Sequence, residues 1–152
     1  MYSRAELSKI KQEFWTAFGL YMKPVPSADG GRVNWQNYKT GVKQVFFRMR
    51  AETDFVSIGI EINHADIELQ ELFFGQFEAF KKMLHEDLGE SWDWKLHDVD
   101  EWGKTISKIE KILPGPSVMK KEDWSEIISF LKPRIIALDH FWSKVKPGFE
   151  EG

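Results

Sequence analysis

The chain contains no cysteine. That excludes a disulfide framework, a thiolate nucleophile and thiolate metal ligands. No apolar run approaches the length of a membrane span. The first residues lack a signal-peptide pattern, so the expectation is a cytoplasmic protein. Histidine is scarce, at His64, His85, His97 and His140, and none stands in an H-x-x-x-H or H-x-H pattern that would suit zinc. Gly30-Gly31 is too short to cradle a phosphate, and no Walker or dinucleotide glycine pattern occurs. Serines occur without a G-x-S-x-G elbow. The run His97-Asp98-Val99-Asp100-Glu101 lacks the spacing and glycine of a calcium loop and reads as a solvated acidic turn. Asp139 and His140 look like a dyad, but helix neighbours one apart diverge by about 100°, so both read as surface residues. No catalytic residue, metal or cofactor is expected.

What is present is a globular composition. With 152 residues, 42% hydrophobic and 30% charged, the chain suits a single domain over residues 1–152. The net charge of −3 hides an uneven distribution. Residues 31–51 carry Arg32, Lys39, Lys43, Arg48 and Arg50 with no acid, whereas residues 61–101 are strongly acidic.

The strongest periodic signal lies at residues 43–88. Val56, Ile58, Ile60 and Ile62 alternate with Ser57, Gly59, Glu61 and Asn63, the period of a half-buried strand. Val45, Phe47 and Met49 alternate with polar residues in the strand before it. A turn at Thr53-Asp54 sets Met49 opposite Ile58 and Phe47 opposite Ile60. A slip of one residue would mix the faces. The same register puts Phe46 opposite Glu61, with Arg48 on the diagonal. A helix follows from Asp66, its N-cap, to Gly89, its C-cap. Leu69, Leu72, Phe73, Phe77, Phe80, Met83, Leu84 and Leu88 form its apolar stripe.

Ser3 and Glu6 form a capping box for a first helix carrying Leu7, Ile10, Phe14, Phe18 and Tyr21, stopped by Pro24 and Pro26. Val33, Trp35 and Asn37 alternate with Asn34, Gln36 and Tyr38 and read as a strand, joined to the next by Lys39-Thr40-Gly41. Trp92, Trp94 and Leu96 suggest another strand. Residues 104–112 fit helix or strand, with β propensity favouring the strand. Asp123 to Val145 is the last helix, with a kink predicted at Pro133. The order is α-β-β-β-α-β-β-α. It predicts an α+β domain with a five-stranded, mostly antiparallel sheet and helices packed on it.

The basic hairpin is the best binding candidate. Lys39, Lys43, Arg48 and Arg50 could track a phosphate backbone while Trp35 or Tyr38 stacks on a base. The competing reading is a solvated sheet face whose arginines are neutralised by Glu61 and the acids of the helix. Trp15 and Phe74 fall off their helix stripes and suggest a homodimer or partner-protein face, or else a thick core.

Phe14-Trp15-x-x-Phe18, Asn34-Trp35, Gly59-Ile60-Glu61, Phe77 and Phe80 before Leu88-Gly89, Trp92-x-Trp94, Ser107-Lys108-Ile109 and Glu122-Asp123-Trp124 occur in that order. Together they resemble a bacterial family of uncharacterised domains. Its members are stand-alone chains or lie C-terminal to restriction-endonuclease-like modules. The resemblance implies a strand at 104–112 and a context of DNA processing or defence, and carries no catalytic residues. The α-β-β-β-α-β order also resembles the PD-(D/E)XK nuclease core, whose chemistry needs an Asp, a Glu and a Lys two residues past the Glu. Here Glu61-Ile62-Asn63 has Asn in that place, and only Asp54, in the hairpin turn, offers the acid. The leading expectation is a non-enzymatic accessory or binding domain whose partner is protein or nucleic acid. The alternatives are a degenerate metal-dependent nuclease using Glu61 and Asp54, and a structural homodimer.

Overall fold

A computed structural model describes residues 2–149. Eight main elements follow one another: α1 (Arg4–Met22), β1 (Val45–Ala51), β2 (Phe55–Ile62), α2 (Ile67–Ala79), α3 (Lys81–Leu88), β3 (Asp93–Val99), β4 (Thr105–Pro114) and α4 (Trp124–Val145). Among the described residues the sheet has four strands in the order β1-β2-β4-β3, every pair antiparallel. The class is α+β, but the expected five-stranded sheet is wrong.

The missing strand is the one read at residues 33–38. Its alternation is real but serves another purpose. Asn34 Oδ1 and the Asn34 carbonyl both accept from the Asn37 N–H, at 3.1 and 3.3 Å, so the backbone turns back on itself. The Trp35 ring enters the core and its Nε1 donates to the Val25 carbonyl at 2.9 Å. At the start of β1 the Thr40 hydroxyl donates to the Val45 carbonyl at 2.7 Å, occupying an edge position a further strand would need. The segment is thus an anchored loop laid along β1.

The β1–β2 register agrees with the expected one: Phe47 faces Ile60, Met49 faces Ile58 and Phe46 faces Glu61. Residues 105–114 are a strand, β4, paired along the whole of β2. Burial explains why this register wins. Val56, Ile58, Ile60 and Ile62 are all buried, each contributing about 1.5–3 kcal/mol. Helices cover this face. Phe47 meets Trp142 of α4 at 5.7 Å between ring centroids, and Phe74 of α2 meets Trp94 of β3 at 5.6 Å. α1 packs on α4 through Phe14 and Trp124, 5.4 Å apart.

The helix ends follow local chemistry. Ser3 and Glu6 form the full capping box of α1, and the Asp66 side chain accepts from the Glu68 N–H. Gly89 takes the left-handed C-cap conformation at φ 70°. The helix expected from Asp66 to Gly89 is two helices, hinged at Phe80 (φ −105°, ψ 13°). α2 lies on the sheet, whereas α3 turns to run beside α4. Phe77 and Leu84, on either side of the hinge, are both fully buried. α4 continues through the exposed Pro133 as one helix. In β3 a bulge between Lys95 and Asp98, with His97 at φ 55°, breaks the alternation and leaves Leu96 exposed.

Candidate functional site

β1 is an edge strand, and the loop before it is held by three bonds from aromatic side chains. Trp35 Nε1 donates to the Val25 carbonyl at 2.9 Å, and Trp142 Nε1 to the Thr40 carbonyl at 2.8 Å. Tyr38 Oη donates to Asp139 Oδ1 at 2.6 Å, and the Tyr38 ring stacks on Phe47 at 5.0 Å. Burial, then the bond to the Asp139 carboxylate, raises the Tyr38 pKa far above its ordinary value. This tyrosine stays protonated as a donor.

With the aromatic rings turned inward, the cations are left outside. Tyr38, Lys39, Lys43, Phe46 and Arg48 line a cleft of about 480 Å³ between the loop and β1. Among the described residues Lys39 and Lys43 have no carboxylate within 4.0 Å. The Arg48 guanidinium sits over the Phe46 ring, 4.2 Å from its centroid, and only 3.8 Å at best from Glu61. Arg50 is more fully engaged, 3.4 Å from Glu61 and 4.0 Å from Glu101.

Arg48 and Arg50 project from the sheet face opposite the helices. Charged side chains compensate one another there. Glu61 serves both arginines, and Glu110 accepts from Lys95 at 2.7 Å and lies 3.6 Å from Lys108. The Glu110 bond holds the Lys95 pKa above its ordinary value, against the opposing effect of burial. A second recess of about 320 Å³ opens on this face beneath the β3–β4 turn, with Arg48, Arg50, Glu61, Trp102 and Lys104 on its walls.

The sequence-predicted binding residues thus separate into two groups. Lys39, Lys43, Arg48 and Tyr38 share one cleft, and Arg50 lies beyond Arg48. Trp35 is 2% exposed and has no free ring face to offer a base. Glu61 and Asp54 do not meet. Asp54 is in the turn before β2 and Glu61 is near the strand's far end, about 20 Å away at the rise of an extended strand. Asn63 stands where a nuclease lysine would be.

The model of a family described as Domain of unknown function (DUF4268) matches residues 10–146. The chain belongs to this family. Searches of curated proteins and of solved structures return no match. The match begins inside α1 and ends one residue past α4, so the whole sheet and both recesses belong to the DUF4268 domain. Among its described residues no group of three or more His, Asp or Glu is placed to hold a metal ion. No helix of the domain is long and apolar enough to cross a membrane.

Two residues of this DUF4268 domain escaped the sequence reading. Asp139 is buried at 6% exposure rather than on the surface, taking bonds from Tyr38 and from the Ala28 N–H at 2.7 Å. Its partners lie more than a hundred residues upstream, so no local pattern announces it. Trp102 is the other. It sits between Glu101 and Gly103, outside any helix or strand period, and that isolation was its only signal. Trp15 and Phe74 pack into the core. Exposed apolar residues include Leu20 of α1, Ile67, Leu69 and Leu72 of α2, and Leu96 and Val99 of β3.

Proposed function

We propose that this domain is a non-enzymatic binding module that takes a polyanionic strand, nucleic acid, into the cleft beside β1. One observation carries the reading: three cations, Lys39, Lys43 and Arg48, converge on one open cleft while the acids that would neutralise them are engaged elsewhere. Glu61 is nearer Arg50 than Arg48, and Glu110 is taken by lysines. The loop wall is already anchored by Trp35, Tyr38 and Trp142, so little ordering entropy opposes binding. The resemblance to domains that follow restriction-endonuclease-like modules supports the same ligand class.

The test is a titration of the full chain with fluorescent oligonucleotides over a range of salt concentration. Affinity falls as salt rises, with a log–log slope of about −0.7 per phosphate engaged by a single strand. The double substitution Lys43→Glu with Arg48→Glu abolishes binding without changing the unfolding free energy from urea titration by more than about 0.5 kcal/mol, because both side chains are exposed. Absence of binding at low salt, or binding untouched by the double substitution, would refute the reading.

A second reading, a homodimer, has its own observation. Leu69 and Leu72 are 40% and 56% exposed on α2, and the neighbouring edge strand β3 exposes Leu96 and Val99. Sedimentation across micromolar dilution tests it. A dimer that Leu72→Asp dissociates supports the reading, and a monomeric mass at every concentration ends it.

A further inference from the structure

We propose that Trp102 is a stacking platform for a base of single-stranded nucleic acid, with the neighbouring phosphates carried by the β1 cleft. The proposal rests on the binding-module reading and narrows its ligand from a polyanion to an unpaired strand.

Trp102 differs from every other tryptophan of the chain. Of the seven, it alone is exposed, at 82%. Trp35, Trp92, Trp94, Trp124 and Trp142 each spend the indole N–H on an internal acceptor, and Trp15 is wedged between Phe14 and Phe18. Removing a large ring from water is worth several kcal/mol, and the other six rings are buried or partly buried against the core, so Trp102 stands apart as a ring left free to meet a ligand.

Trp102 is also held in place. The Asp100 carboxylate accepts from the Trp102 N–H at 2.9 Å and from the Lys104 N–H at 2.8 Å. The Asp100 N–H donates to the Lys104 carbonyl at 2.9 Å, and the Gly103 N–H to the Asp100 carbonyl at 3.0 Å. Gly103 supplies the left-handed residue this turn needs, at φ 81°. With the backbone of the turn already fixed, only the side-chain rotamer of Trp102 has to order on stacking, which favours binding.

Charge selects the ligand. The recess beside Trp102 holds Arg48, Arg50 and Lys104 against Glu61, Asp100 and Glu101, which is balanced and suits a neutral ring with polar edges. The cleft on the other side of Arg48 holds Lys39 and Lys43 unpaired and suits an anion. Arg48 lines both. A neutral aromatic site joined to a cationic site matches a polymer that alternates flat neutral rings with phosphates. In a duplex the base faces are already stacked, so only a single strand can offer one to Trp102.

The experiment compares two fluorescent oligomers of equal length and charge, an oligothymidylate and an abasic deoxyribose phosphate, at low salt. Wild-type protein binds the oligothymidylate more tightly. Trp102→Ala weakens that binding by at least about fivefold and leaves the abasic affinity and the salt slope unchanged, whereas Trp102→Phe keeps most of the preference. Equal binding of both oligomers by wild type, or no effect of Trp102→Ala on the oligothymidylate, overturns the stacking proposal and leaves the cleft reading standing. Failure of both oligomers to bind overturns the two together.

Discussion

Tyr38 Oη donates to Asp139 Oδ1 at 2.6 Å, bridging 101 residues of chain. The other carboxylate oxygen accepts the Ala28 N–H at 2.7 Å. One buried aspartate therefore ties both ends of the loop between α1 and β1 to α4. Tyr38→Phe leaves one oxygen of the buried Asp139 carboxylate without its side-chain donor. The expected cost is about 2 kcal/mol, read as a lower urea midpoint with an unchanged m-value. An unchanged midpoint would mean that the loop does not depend on this bond.

Glu61→Gln separates the binding reading from the nuclease alternative by the sign of its effect. Gln keeps the shape of Glu61 but removes the charge that draws Arg48 and Arg50 inward. Oligonucleotide affinity at low salt is expected to rise, by about two- to fivefold for one repulsive charge lost at a partly screened distance. Magnesium-dependent cleavage by the wild type that vanishes in Glu61→Gln would favour the nuclease instead.

Two glycines have opposite expectations. A Cβ on Gly59 would lie 2.8 Å from the Ile109 carbonyl oxygen and 2.9 Å from Glu110 Cβ, both on the adjoining strand β4. Backbone cannot withdraw without opening the sheet, so Gly59→Ala should destabilise by about 2 kcal/mol or more. A Cβ on Gly75, inside α2, meets nothing within 4 Å. Gly75→Ala should stabilise by about 0.5–1 kcal/mol through helix propensity. Thermal melts of the two variants check both signs.

Stability should fall in two steps on acidification. Burial lowers the His64 pKa, with Asp66 opposing, and its ring stacks on Phe73 at 4.6 Å between centroids. The folded state keeps His64 neutral. Its contribution is complete above the unfolded value of about 6.5 and is lost as pH falls toward the lowered folded value. At Glu90, burial opposes ionisation, but two bonds from Arg134, at 2.8 and 2.9 Å, and one from Trp92 outweigh it and lower the pKa. That contribution is complete above the ordinary glutamate value of about 4.3 and is lost as pH falls through the folded one. Urea midpoints against pH should decline in both windows. His64→Gln should flatten the upper and Arg134→Gln the lower. Persistence of either slope in its variant would remove that assignment.

The physical reach of each signal explains which features were readable in the sequence. The β1–β2 register was legible because one slip exposes four branched side chains, and the caps at Ser3, Asp66 and Gly89 because each is settled within four residues. The loop at 33–38 was not. Its alternating Val33 and Trp35 suit a strand as well as an anchored turn, and the acceptor that decides, the Val25 carbonyl, lies outside the pattern. Leu69 and Leu72 matched a helix stripe with Phe77, yet α2 leaves both leucines exposed and buries the off-stripe Phe74 beside Phe77.

For the candidate site, residue order alone determined that the cations of residues 39–50 would sit on and beside one exposed strand. Which of them meet, and which aromatic ring is free to join them, was decided by contacts from far along the chain. Asp139 and Thr40 draw Tyr38 and Trp142 inward, and the β3–β4 turn sends Trp102 outward. Period and composition carry information over a few residues, whereas the burial of a charge or a ring depends on whatever the rest of the chain packs against it.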